Sequence, residues 1–347
     1  MIKYITVLVS ILFLFHHTYS QVSLNKVDLD SAINSADFSF IVTGHIHGSS
    51  ANQSGYPAST FLGNADWIQD SLHPSFMWFT GDVFQDIKKD YPFYQHSLFS
   101  KVAVPMFNAV GNHDLSGDFY QENIGETYFA FTIGVNLFIT LDAETDDSQI
   151  IGEQLAFFIG ELANAKKKGV KNVFICSHRP IWAETNPEFQ GLFADNTRSL
   201  MGDNFVEELL PELEKYQNEY AIYWFSGSMG NVPVSFFYHK EKESNITFIQ
   251  TAIRNIQRDA ILEVSIKNSA VSFSPHSLTG QELEPLEYYN MAFWKDYKKP
   301  VIEFNYRLIP LYIKQTLTNR MFWYGMGAMV LFFFFGGLLL KRIKRYH

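Results

Sequence analysis

The stretch Phe107-Asn108-Ala109-Val110-Gly111-Asn112-His113-Asp114 decides how this chain is read. An apolar run of strand character ends at a glycine. The glycine opens onto an amide, an imidazole and a carboxylate in consecutive positions. In α/β folds the loops that carry ligands gather at the carboxyl ends of strands. Asn112 offers a neutral amide oxygen to a metal ion. His113 can donate a proton to a leaving oxygen or contact a phosphate, and Asp114 can hold the His113 ring in one tautomer. Plain loop chemistry seldom assembles these groups directly behind a strand.

Four more segments follow the same rule. Gly81-Asp82 closes the run Trp78-Phe79-Thr80, with Asp86 four residues on. Ser177-His178 closes Val173 to Cys176, His45-Ile46-His47 follows Phe38 to Val42, and Gly227-Ser228-Met229-Gly230 follows Ala221 to Phe225. Hydrolysis of a phosphate ester needs a positive clamp on the phosphoryl oxygens and a hydroxide available near neutral pH. Two metal ions roughly 3.5–4 Å apart supply both. Asp82 is the natural bridging carboxylate for such a pair, Gly81 permits the sharp turn at the strand end, and Asp86 is placed to support the loop from behind.

With these five segments, the chain resembles the calcineurin-like metallophosphoesterase family over roughly residues 36 to 280. The resemblance implies a metal-dependent phosphoric ester hydrolase with His47, Asp82, Asn112 and His178 as metal ligands. It also implies catalytic roles for His113 and Asp114. Two blocks depart from the family pattern. His45 stands where the first block carries an aspartate, which makes it an atypical ligand. Ser228 and Gly230 stand where the last block carries two histidines, so those ligand positions are lost. A donor set dominated by imidazole favours Mn, Fe or Zn over Mg, with one or two ions bound. The sequence therefore predicts a hydrolase of phosphate mono- or diesters with one metal or an atypical pair. Its alternative, a catalytically degenerate relative serving as a ligand-binding or membrane scaffold module, stays open. His239 and His276 are read as ordinary surface or core histidines.

The length of 347 residues suits one large domain with appendages, and a hydrophobic fraction of 47% is ample for its core. Phe76 to Phe79, Asn136 to Leu141 and the runs named above read as buried strands. Helical spacing appears at Gln154, Leu155, Phe158, Ile159 and Leu162, and again from Phe205 to Leu213, where Pro211 should kink or start a helix. Thr247 to Gln250, Ile261 to Ser265 and Val271 to Phe273 read as strands with no helix between them. The expected fold is a four-layer α/β/β/α metallophosphoesterase-like sandwich, two sheets face to face with helices outside.

The ends of the chain suggest export and anchoring. Residues 1–20 carry Lys3, an apolar run and a small-residue exit, as a signal peptide does. Residues 21–285 form the expected domain and 286–320 an expected juxtamembrane connection. Met321 to Leu340 lacks charge, which predicts a transmembrane helix. The basic tail 341–347 then places the C-terminus in the cytoplasm. The expected location is thus a single-pass, extracytoplasmic one in a bacterial envelope, since Cys176 is the only cysteine. Expected partners are the lipid bilayer and a phosphorylated small molecule, lipid or glycan. Setting aside Lys3 and the four basic tail residues leaves 22 of the 27 Lys and Arg against 36 Asp and Glu, about −14. That charge argues against a nucleic-acid partner.

Overall fold

Apolar runs become strands, several of them short and buried throughout. Three come first, β1 (Asp37–Thr43), β2 (Met77–Phe79) and β3 (Met106–Asn108). Six follow: β4 (Phe129–Ile133), β5 (Asn136–Thr140), β6 (Asn172–Ser177), β7 (Ala221–Ser226), β8 (Phe236–Lys240) and β9 (Ile246–Thr251). Two close the domain, β10 (Ala260–Lys267) and β11 (Ala270–Ser277). This computed structural model describes residues 23–343, apart from 31–32, 50–51, 53, 190–191, 193–198, 200–201, 231, 297–308 and 319. The expected signal peptide lies outside the described residues.

The strands form two sheets. One runs β11-β10-β1-β2-β3 and the other β4-β5-β6-β7-β9-β8. Parallel pairing joins β1, β2 and β3, and also β5, β6, β7 and β9. The carboxyl ends of these strands therefore share one edge in each sheet. β11 is an edge strand, partly exposed along its length, and tolerates Pro275 for that reason.

Aromatic rings fill the space between the sheets. Phe40 stacks on Phe76 at 4.8 Å and meets Phe138 edge-on at 5.3 Å, while Phe138 stacks on Phe174 at 4.9 Å. Phe40 and Phe76 come from one sheet, and Phe138 and Phe174 from the other. Such offset and edge-on pairs add to what burial alone contributes. On its far side the larger sheet packs Trp224 and Ile175 against Phe158 and Leu162 of the helix Gly152–Lys167. The smaller sheet packs Met77 and Phe79 against Phe61, Ile68 and Tyr94. Pro211 sits in the first turn of the helix Leu210–Glu214, where its missing N–H costs nothing.

The C-terminal region differs from expectation in two ways. Residues 286–296 belong to the domain: Leu286, Tyr289 and Trp294 are buried, and Trp294 Nε1 donates to the Phe236 carbonyl at 3.2 Å. The run 321–340 falls within a 24-residue helix, Arg320–Ile343. Among the described residues no helix is long and apolar enough to cross a membrane. This corrects three expectations together: the fold as a sandwich plus a transmembrane helix, the lipid bilayer as partner, and the single-pass membrane location; of the expected tail 341–347, residues 344–347 lie outside the described residues. The architecture is an α/β domain built on two sheets.

Candidate metal centre

The carboxyl ends of β1, β2 and β6 bring their loops to one buried point, and Asp82 is at its centre. Gly81 (φ +87°) allows the turn, since a Cβ there would run into the His178 ring. His45, Asp82 and Ser228 each take a left-handed backbone, with φ of +55°, +54° and +62°. Non-glycine residues hold that conformation at a cost of roughly 1–2 kcal/mol. It persists where the surroundings dictate it, commonly at functional sites.

Three imidazoles face one oxygen of Asp82. His45 Nδ1 lies 3.4 Å from Oδ2, His178 Nε2 3.5 Å and His47 Nε2 3.9 Å. These are longer than hydrogen bonds and leave room for something between. His178 Nδ1 donates to the Thr80 carbonyl at 2.7 Å, so its Nε2 is the free atom. Neither ring nitrogen of His45 or of His47 has a hydrogen-bond partner among the described residues, although both side chains are buried. Buried polar atoms without partners are rare and need a reason. His45, His47 and Asp82 present ligand atoms within 4.8 Å of one another, so this buried cluster can hold a metal ion.

The electrostatics suit that role. Burial holds the His45 ring well below its ordinary pKa, helped by the nearby Arg254 and opposed by Asp82. Its nitrogens are thus kept as neutral donors. Burial alone would raise the Asp82 carboxyl, but His178, His45 and His47 together hold it well below the usual carboxylate range. For His178, burial pulls the pKa down, while Asp82 and Glu144 outweigh it and the net direction is upward.

The remaining sequence candidates fall in different places. His113 is half-buried beside His47, ring centres 5.2 Å apart, and its backbone N–H donates to Asp82 Oδ1 at 3.2 Å. Asn112 is exposed on the same turn. Asp114 does not orient His113. It is buried and accepts from Asn108 Nδ2 (3.0 Å), the Gly111 N–H (2.9 Å) and the Phe84 N–H (3.0 Å). The Gln85 carbonyl holds His113 instead, accepting from Nδ1 at 2.8 Å. Asp86 does not back the site either, because its carboxylate pairs with Lys89 on the surface. Ser228 is buried, its hydroxyl without a hydrogen-bond partner among the described residues, and Gly230 offers only a carbonyl, which accepts from Arg254 Nε (3.2 Å) and Arg258 Nη2 (3.3 Å). His239 pairs with Glu241 and His276 with Glu263.

Two groups at the centre carry no motif in the sequence. Glu144 follows β5 and comes within 4.0 Å of His178 Nε2. Arg254 follows β9 and lies close enough for its charge to act on both Asp82 and His45. Their only signal was their position just past a strand. A cavity of about 360 Å³ lies on the His47 side, lined among others by Asn52, Tyr56, His96, Lys101 and Asn255. The Asn52 amide ties it to the centre by donating to the His47 carbonyl at 2.8 Å.

Fold and site together define an α/β domain of two sheets with a buried histidine–aspartate cluster at the strand ends that could hold a metal ion. No family model matches the chain, and no curated protein does. Among solved structures it is similar to GAP50, the anchor in the inner membrane complex of Plasmodium. That likeness has 12% identity and a TM-score of 0.48, over 82% of this chain and 95% of that one, and is too distant to bear on chemistry.

Proposed function

We propose that this chain is a metal-dependent hydrolase of phosphate mono- or diesters, of the calcineurin-like metallophosphoesterase type. One observation carries the reading: three buried imidazoles with free nitrogens converge on one oxygen of the ionised Asp82. His45, His47, Asp82 and His178 would hold one or two ions, and the imidazole-rich set favours Mn, Fe or Zn. When bound, such an ion supplies positive charge to the phosphoryl oxygens and lowers the pKa of a water.

The chain's own residues do the rest. With Nδ1–H engaged by the Gln85 carbonyl, His113 presents Nε2 at the mouth of the site to give a proton to the leaving oxygen. Arg254 is half-buried beside Asp82 and His45 and supplies a fixed cation for the phosphoryl oxygens. The tight turn at Gly111 presses the His113 segment against Asp82, which fixes acid and ion centre relative to each other.

A second reading, a ligand-binding module without turnover, is favoured by the last segment. There Ser228 and Gly230 bring no strong donor and arginines hold the Gly230 carbonyl. A panel of generic phosphate mono- and diesters with Mn²⁺ separates the two. The hydrolase reading expects turnover that falls about 10²–10⁴-fold in His113→Ala. Background rates equal in the wild type and His113→Ala across the panel would establish the second reading.

A further inference from the structure

The weakness at Ser228 and Gly230 is met by a side chain from a different strand. The loop after β5 carries Glu144 into the interior, where its side chain is 3% exposed. Arg179, from the loop after β6, fixes it: Arg179 Nε donates to Glu144 Oε2 at 2.9 Å and Nη2 lies 2.8 Å from the same oxygen. Arg179 is itself held, with Nη1 donating to Asp147 Oδ1 at 2.8 Å and to Ser148 Oγ at 3.0 Å. The guanidinium thus uses one carboxylate oxygen and leaves the other. Glu144 Oε1 is buried with no hydrogen-bond partner among the described residues. It points to His178 Nε2, 4.0 Å away, the same nitrogen that faces Asp82 Oδ2 at 3.5 Å.

A buried carboxylate oxygen left unpaired is costly, and an arginine that satisfies only its twin does not remove the cost. Bonds of about 2.0–2.2 Å from nitrogen and oxygen to a divalent cation place neighbouring donors roughly 3–4 Å apart. The two separations at His178 Nε2 fall in that range. We propose that Glu144 is a ligand of a second divalent cation, bound with His178 and Asp82, and takes the place of donors that Ser228 and Gly230 do not supply. Asp82 then lies between two positions, one on the His45–His47 side and one on the His178–Glu144 side. Arg179 acts as a positioning residue that turns Oε1 inward. The proposal rests on the metal-binding part of the function proposed above and not on turnover.

The test is Mn²⁺ titration of the full chain, read by elemental analysis and by electron paramagnetic resonance. The wild type should bind two Mn²⁺ with a spin-coupled signal. Glu144→Gln keeps an acceptor for Arg179 and should bind one, giving an isolated six-line spectrum. Arg179→Lys should keep both positions and weaken the second about 10–100-fold. Equal stoichiometry in wild type and Glu144→Gln, whether one ion or two, would overturn the proposal and leave Glu144–Arg179 as a structural ion pair. No Mn²⁺ in the wild type would overturn it together with the hydrolase reading. Two coupled ions without hydrolysis of any ester would sink the hydrolase and leave this site standing.

Discussion

At the scale of single residues, the centre separates groups that are satisfied from groups that wait for a ligand. His47 is 1% exposed with both ring nitrogens unpartnered among the described residues, so the metal-free fold gains little from its polarity. Mn²⁺ at 100 times its dissociation constant should stabilise the wild type by about 2.7 kcal/mol. His47→Ala should remove most of that gain, as measured by thermal melts with and without Mn²⁺. An equal Mn²⁺ shift in the variant would exclude His47 as a ligand. Asp114 is the opposite case. It answers three donors that shape the turn between β3 and His113, and none of them belongs to a substrate. Asp114→Ala should lower the unfolding free energy by about 1–3 kcal/mol even without metal. A variant that melts like the wild type and loses only activity would return Asp114 to the catalytic role its neighbour His113 suggests.

At the scale of elements, the loops meet because they lack side chains where they cross. A Cβ on Gly111 would run into Asp82 Oδ1 and the Asp82 backbone nitrogen. Gly111→Ala must therefore push the His113 turn off Asp82. Loss of Mn²⁺ affinity should exceed loss of stability, and calorimetric titration beside a urea melt checks the ratio. Wild-type affinity in Gly111→Ala would mean that the turn is free to move. The same crossings explain what could be read from sequence. The runs ending at Thr43, Phe79, Asn108, Ser177 and Ser226 are apolar on both faces, so strand and following loop were legible together. His45, His47, Asp82 and His178 stand within four positions of such an end, and the three imidazoles face one oxygen of Asp82. Glu144 lies past β5 in a segment of mixed acids, where one carboxylate among Asp142, Glu144, Asp146 and Asp147 carries no mark of its own. Its partner Arg179 is 35 positions away, and pairing at that distance is a property of the folded sheet alone. The supports of His113 were equally hidden, because a backbone carbonyl at Gln85 does the orienting and has no sequence identity to read.

At the scale of the whole molecule, the two sheets are joined beneath the site by a buried acid. Asp259 accepts from Thr60 Oγ1 at 2.7 Å, from the Arg254 N–H at 2.9 Å and from the Ile256 N–H at 3.1 Å. It thereby ties the start of β10 to the loop after β9 and to the helix Ser59–Leu62. Burial raises its carboxyl above the usual range, and Arg258 and the three donors offset only part of that. A carboxyl with a folded-state pKa above its unfolded value of about 3.9 binds its proton more tightly when folded. Its contribution to stability is complete below the unfolded pKa and is lost as pH rises through the folded pKa. Asp90 and Glu184, raised first of all by burial, act in the same direction. Glu263 opposes them: its hydrogen bond to His276 holds it below the usual range, so its contribution is lost as pH falls. A single pH–stability curve mixes these signs, whereas a difference between two proteins isolates one of them. Asp259→Asn cannot ionise, so the stability of the wild type relative to this variant should fall as pH rises from about 4 towards neutrality. Urea melts of both proteins across that window, with metal chelated, supply the comparison. A difference that is flat, or that grows with pH, would mean that the Asp259 charge is fully compensated by Arg258 and is not a cost built into the joint between the sheets.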